Sequence, residues 1–373
     1  MREYVARILF ILVLINAWFV APLGHGSAEP VQESVQVPVL PQALREECER
    51  RYTQAISSSP IGQGVDRAAL LELALLRMTL NLGTVPEREA IHKLLIIEAD
   101  SVAVESKLSE RIRLLSLAYL VFKEAKFLDR AQKAYVQVEK KLSPKEPSGE
   151  LIHALSTLYA ASLDRTVFQV ATDHAKQALT VQDSRDLQQL PAFGAAYIAL
   201  YQVSGERRWI AEARALGTRV IEDTSFDKRE FRVPRARFFN LLTHHTGESK
   251  FREALFRYAT QEFQAPTDTI SWVNALLLHY ELSNPPLHLT VVGSKDQPRA
   301  RELFEAALHY PMLHKRLEWW DRSEGPLPNA DVAFPELPRP ALFVCAERRC
   351  SLPIFEASAV EREIQQLLVV ETR

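Results

Sequence analysis

Across residues 40–282 the chain alternates apolar stretches of helical length with short polar breaks, and hydrophobicity never alternates there with period two. A half-buried strand needs that alternation, so the span reads as helix throughout. Twelve helices are expected, the first over 41–58 and the last over 268–283. Punctuation separates them at Ser58-Ser59-Pro60, Gly83-Thr84-Val85-Pro86, Ser143-Pro144, Gly205-Glu206 and Gly247-Glu248. Twelve helices joined by breaks this short make six hairpins. With only 12 Gly and 47% hydrophobic residues, the chain has apolar material for a large core and too little Gly for a β-rich fold.

A degenerate repeat supports the hairpin count. Phe127, Phe168, Trp209 and Phe251 recur at intervals of 41, 41 and 42 residues, each just after a turn. Ala131, Ala171, Ala213 and Ala254 follow about one helical turn later, and Tyr119, Tyr159 and Tyr201 precede the first three aromatics. Residues one turn apart share a helix face, so a bulky residue followed by a small one lets a neighbouring helix approach closely. The stripe reads as packing rather than binding. A tetratricopeptide array would repeat at about 34 residues with its own signature, and this chain has neither. Hairpins of this period suit a HEAT-type array or, six together, a closed (α/α)6 toroid around a cavity; the length of the helical span favours closure.

The N-terminus reads as a secretory signal peptide over 1–28. Arg2 and Arg7 flank the start of an apolar run over 8–23, and small residues lead to a cut between Ala28 and Glu29. The run is shorter than the ~20 residues that span a bilayer, so a soluble periplasmic or secreted protein without stable membrane insertion is expected. Cleavage would take the formal net charge from −2 to −3. A near-neutral chain without a basic cluster offers no electrostatic case for nucleic acid. Arg207-Arg208 and Lys315-Arg316 read as solvated surface.

Past Pro285-Pro286 the pattern changes. A β-type run over 287–292, a helix over 297–308, a linker with Pro326, Pro328, Pro335, Pro338 and Pro340, a second strand over 341–345 and a closing helix over 357–369 are expected. The two strands, joined through a helix, are expected to pair in parallel. The chain thus divides into the signal peptide, a helical-hairpin domain over 29–285 and a small α/β extension over 286–373.

Few residues carry a chemical signal. Cys345 and Cys350 are a candidate structural disulfide in an oxidising compartment, with two free thiols, one at a buried strand end and one in a turn, as the alternative and a zinc site as the weaker reading. Cys48 has no evident partner. His244 and His245 end a helix, where a cation is favoured, and point different ways, so they suit neither one metal nor, with much force, catalysis. Trp319 and Trp320, with Glu318 and Asp321, could stack on a sugar, although pinning the Pro-rich linker explains them better. Asp164, Glu222-Asp223 and Glu281 lie near helix ends, as candidate acid/base groups or simply solvated. No catalytic Ser elbow, phosphate loop, His-Glu-x-x-His or dinucleotide fingerprint occurs, and neither a metal nor a cofactor is expected.

The order of short motifs from Leu241-Leu242 and Gly247-Glu248, through Asn284-Pro285-Pro286-Leu287-His288-Leu289-Thr290-Val291-Val292-Gly293 and Pro298-Arg299-Ala300, to Phe343-Val344-Cys345, Cys350 and Pro353 carries a resemblance. It resembles the C-terminal half of the thioredoxin-domain proteins that carry a six-hairpin toroid similar to N-acylglucosamine 2-epimerases, over roughly residues 190–368. No Cys-x-x-Cys occurs and helices follow the signal peptide directly, so the redox chemistry of that family's first domain does not carry over. The resemblance implies a toroid with a cavity of the kind that binds sugars in the epimerase-like relatives, and the departure at the first domain motivates the hypothesis of a separately encoded thioredoxin-like protein as a partner. Fold alone does not supply an activity. The expectation is an exported, non-catalytic or degenerate toroid that binds a protein or a carbohydrate-like ligand. A carbohydrate isomerase or hydrolase and an open helical scaffold for protein assembly are the alternatives.

Overall fold

The computed structural model describes residues 37–58, 66–101, 107–141, 147–181, 186–222, 228–265, 271–346 and 349–369. The signal-peptide reading of residues 1–28 lies outside them. Among the described residues, twelve helices precede the first strand: α1 (Gln42–Ser57), α2 (Arg67–Thr79), α3 (Val85–Asp100), α4 (Leu108–Phe122), α5 (Ala125–Lys141), α6 (Gly149–Ser162), α7 (Arg165–Thr180), α8 (Leu190–Ser204), α9 (Arg207–Glu222), α10 (Arg232–Thr246), α11 (Ser249–Phe263) and α12 (Trp272–Ser283). The number and positions match the expectation from the sequence.

Local chemistry sets the ends of these helices. Thr84 and Glu87 form a capping box at the start of α3, and the carboxylate of Asp66 accepts hydrogen bonds from the first amides of α2. At the opposite ends a repeated device appears. Lys123, Leu163, Gly205 and Gly247 all take a left-handed conformation, and each donates its N–H to the carbonyl four residues earlier. That closes α4, α6, α8 and α10 and turns the chain into the next helix. The register aromatics come directly afterwards: Phe127, Trp209 and Phe251 are fully buried, while Phe168 lies 4.9 Å from the Tyr159 ring. Their Ala followers are buried too, so the repeat does pack the hairpins.

The helices fall into two classes. The odd-numbered α5, α7 and α9 gather their apolar residues on one face, whereas α4, α6, α8 and α12 bury residues all round. A helix apolar on every side must be flanked on every side. The packing agrees: α2 touches α4, α4 touches α6, α6 touches α8, α8 touches α10, α10 touches α12, and α12 returns to α2. A clasp of side chains ties the first hairpin to the last, with Arg77 and Glu49 both hydrogen-bonded to the Tyr280 hydroxyl and Arg77 donating to Glu87 at 3.1 Å.

The C-terminal part is a four-stranded mixed sheet in the order β2-β1-β3-β4, with β1 (Leu287–Val292), β2 (Lys315–Trp320), β3 (Ala341–Ala346) and β4 (Arg349–Cys350). Helix α13 (Pro298–His309) packs on β1, β2 and β3, and α14 (Val360–Val369) on β3. The expected parallel pairing of the first and second apolar runs is corrected here. The parallel partner of β1 is β2, while β1 and β3 run antiparallel. The crossover through α13 ends in β2, a strand the sequence reading missed, and the Pro-rich segment then brings the chain back reversed. The sheet sits against the helices through β2 and α8, where the Leu317 amide donates to Gln202 Oε1 at 3.3 Å.

Candidate functional site

The side chains that face inward from α2, α4, α6, α8, α10 and α12 enclose a cavity of about 880 Å³. Ser109, Glu110, Glu150, Gln188, Glu230 and Ser271, at or just before the starts of these helices, line one end. The helix C-termini meet at the other end, where Leu313, His314 and Lys315 lead into β2 and form a floor. Ala192, Ala195 and Ala199 of α8 keep one wall low, while Phe238, Leu241 and Leu277 make apolar patches.

The charged groups of the wall are interlocked. Arg237 donates from Nη2 to Glu72 at 2.7 Å and to Glu281 at 2.7 Å, with Nε adding bonds to both oxygens of Glu281. Arg113 holds the second oxygen of Glu72. Burial by itself would raise the Glu72 carboxyl, but the Arg113 and Arg237 guanidiniums outweigh it and hold the group well below the usual carboxylate range. Glu72 is therefore ionised at any pH near neutral. His153, beside this cluster, is held down at about 3, first by burial and next by the positive charge of Arg113. It is a neutral imidazole, able to exchange hydrogen bonds with a guest but weakly basic.

Below the floor lies a second polar cluster. Glu318 of β2 is completely buried, accepting from Arg316 Nη2 at 2.8 Å and from the Tyr201 hydroxyl at 3.3 Å, with His288 Nε2 at 2.9 Å and His245 Nδ1 at 3.7 Å. Burial raises the Glu318 carboxyl, yet the neighbouring His245 and His288 rings and the charge of Arg316 bring it well below its ordinary value. Arg316 also reaches Asp331 at 2.6 Å and the Asn329 carbonyl at 2.8 Å. This cluster fastens the sheet to α8 and α10.

These positions revise several sequence readings. Lys315-Arg316 is not solvated surface: Arg316 is buried, and Lys315 Nζ donates to the carbonyls of Ala307, Leu308 and Tyr310 at the end of α13. His244 and His245 do point apart, His245 towards Glu318 and His244 against the His314 ring, 6.2 Å away edge-on. The helix-end cation does not form there, because burial holds His244 down at about 3 and lowers His245. Trp319 stacks on Phe304 and donates to the Gly293 carbonyl, while Trp320 packs on Phe334 and donates to Gly325. Both serve the sheet and its linker and neither lines the cavity. Cys345 and Cys350 face each other on β3 and β4 as a disulfide, and Cys48 is a buried free thiol. Asp164 caps α7, and Asp321 accepts from the Ser323 amide. Asp223 lies outside the described residues. Of the acidic candidates, only Glu281 reaches the cavity.

Among the described residues no group of three or more His, Cys, Asp or Glu is placed to hold a metal ion, and no helix is long and apolar enough to cross a membrane. Comparison with protein-family models and with curated proteins finds no match.

Glu72, Arg113, His153 and Arg237 were not singled out from the sequence. A signal exists for Glu72, the one polar residue in the apolar run Leu70-Leu71-Glu72-Leu73-Ala74-Leu75-Leu76. Such a residue has to face either a partner or a cavity.

Proposed function

We propose that the chain is an exported binding protein, an (α/α)6 toroid that holds a small carbohydrate-like ligand in its central cavity without transforming it. The observation that carries this reading is the cavity itself. Its volume of about 880 Å³ lies in the range of about 300–1,000 Å³ typical of small-molecule sites, and its wall mixes apolar patches with fixed polar groups. The closed circuit of inner helices supports a toroid over an open scaffold. The disulfide suits an oxidising compartment.

A catalytic role, as a carbohydrate isomerase or hydrolase, gains some support from the inward-facing Glu72, Glu281 and His153. Acid/base chemistry needs a group that changes protonation near the working pH. Glu72 is pinned as an anion and His153 as a neutral ring, so binding without turnover fits better.

The resemblance to toroid-bearing thioredoxin-domain proteins remains part of the proposal, together with a separately encoded thioredoxin-like partner; a pull-down that repeatedly recovers no thioredoxin-fold protein removes that partner. The ligand reading is tested by a thermal-shift panel of monosaccharides and polyols. A ligand at about 100 times its Kd stabilises the fold by roughly 2.7 kcal/mol, a visible shift. A bound sugar recovered unchanged after incubation supports binding alone, and a converted sugar favours the enzyme.

A further inference from the structure

We propose that Cys345 and Cys350 form a reversible redox site, at which an external thiol attacks Cys350 and the protein passes between disulfide and dithiol without changing its fold. The placement of the two residues carries the proposal. Their bridge joins β3 to β4, and β4 is the edge of the sheet. Cys350 is exposed, whereas Cys345 is 7% exposed and has the buried His288 of β1 as its register partner on the other side. In thiol–disulfide exchange a thiolate approaches one sulfur from the side opposite the other, so access decides which sulfur is attacked. An approach to Cys345 would have to pass through β1 and His288. An approach to Cys350 comes from beyond the sheet edge. The attacking sulfur then bonds to Cys350, the bond between Cys350 and Cys345 breaks, and Cys345 leaves with the proton that the attacking thiol gave up. A second thiol attacks the external sulfur of this mixed disulfide and releases Cys350 as a thiol. Two external thiols become one disulfide, while the cysteine pair gains two electrons and two protons.

The surroundings hold the two strands together without the bridge. The Ser351 amide donates to the Val344 carbonyl at 2.7 Å, and Leu342 and Ile354 exchange amide-to-carbonyl bonds at 2.8 Å in both directions. The Val344 amide adds a bond to Ser351 Oγ at 3.1 Å. The cysteines are only 5 positions apart in the chain, and the stabilisation a bridge brings by restricting the unfolded chain is least for short loops. Reduction therefore leaves both thiols side by side on paired strands, where they can close again. Exposed disulfides are also the ones that exchange readily, structural bridges being the resistant class.

The test treats the purified, oxidised protein with reduced glutathione or with dithiothreitol, without denaturant, and locates free thiols and adducts by alkylation and peptide mass mapping. Glutathione should leave its adduct on Cys350 and a free thiol on Cys345. Dithiothreitol should carry the pair through to two thiols with unchanged helical circular dichroism, and oxidised glutathione should then restore the bridge. Cys48, a buried free thiol, should stay unmodified throughout and serves as the control for unfolding. Two variants give an independent reading of the attacked sulfur: with oxidised glutathione, Cys345→Ser should form its adduct on Cys350 about tenfold faster than Cys350→Ser forms one on Cys345. A bridge that resists dithiothreitol until urea unfolds the chain overturns the proposal and makes the disulfide purely structural. Adducts on Cys345 as often as on Cys350, or loss of helical signal on reduction, overturn it as well.

Discussion

Arg237 and Glu72 lie 165 residues apart in the chain and bond at 2.7 Å across the inner helices α10 and α2. Because Arg237 also grips Glu281 of α12, one guanidinium holds together the last, first and penultimate members of the inner circuit.

Removing that guanidinium leaves two mostly buried carboxylates facing each other. We expect Arg237→Met to cost about 2 kcal/mol, below the 3–5 kcal/mol seen for fully buried pairs because the Arg237 side chain keeps 30% exposure to the cavity. Adding Glu72→Gln and Glu281→Gln should restore most of the loss. Urea unfolding of the single and triple variants measures both, and an unchanged single variant would show that the network contributes nothing to stability.

The junction beneath the floor is drier, so its charges matter more. Glu318→Gln takes one of two carboxylates from the Arg316 guanidinium, itself only 3% exposed, and leaves Asp331 as its remaining partner, so a cost of about 1.5–3 kcal/mol is expected. Since Trp319 and Trp320 directly follow Glu318 on β2, tryptophan fluorescence should report the loosened sheet at lower urea than helical circular dichroism does. Coincident transitions at the wild-type midpoint would contradict this.

Acid should weaken the fold through its histidines. Burial holds His153 and His244 at about 3 and lowers His245 and His314, while the unfolded chain titrates them near 6.5. With the folded value below the unfolded one, the unfolded state takes up more protons as pH falls, so stability present above about 6.5 is lost on the way down. For His153 and His244 the loss runs from about 6.5 to about 3, at up to about 1.4 kcal/mol per pH unit each. Glu72 and Glu318, held well below the ordinary carboxylate range, add nothing to the slope above pH ~5. The urea midpoint should therefore drop between pH 7 and 5, and His153→Asn with His244→Asn should flatten the drop. A level midpoint over that interval contradicts the neutral assignment.

Gly205 ends α8 at φ 69°, and a Cβ built there would stand 2.7 Å from Trp319 Cβ. Gly205→Ala combines a left-handed penalty of about 1–2 kcal/mol with that clash against β2. A loss of at least about 2 kcal/mol is expected in chemical unfolding, and a loss under 0.5 would mean that the sheet yields freely at this contact.

Much of this architecture is legible in the chain. The helix count, the hairpin register and the packing role of Phe127, Trp209 and Phe251 follow from local periodicity, which a sequence carries directly. Strand β2 was missed because Lys315-Arg316-Leu317-Glu318-Trp319-Trp320 looks like surface: its buried Arg and Glu satisfy each other and partners far away in the sequence. The cavity cluster escaped for the same reason. Glu72, Arg113, His153 and Arg237 come from four helices, and no spacing along the chain reveals that these helices neighbour one another around a common centre. The tryptophans, which the sequence reads first as pins for the Pro-rich linker and second as sugar platforms, donate their indole N–H groups to the carbonyls of Gly293 and Gly325.

The central claim, that the cavity is a ligand site, is tested most directly by filling it. Ala195 of α8 lines the wall, and Ala195→Trp would put an indole into the space. Calorimetric titration of the tightest-binding sugar into both forms should give a measurable affinity for the wild type and none for Ala195→Trp, with unchanged helical circular dichroism. Equal affinity in the two proteins would place the ligand elsewhere and contradict the account.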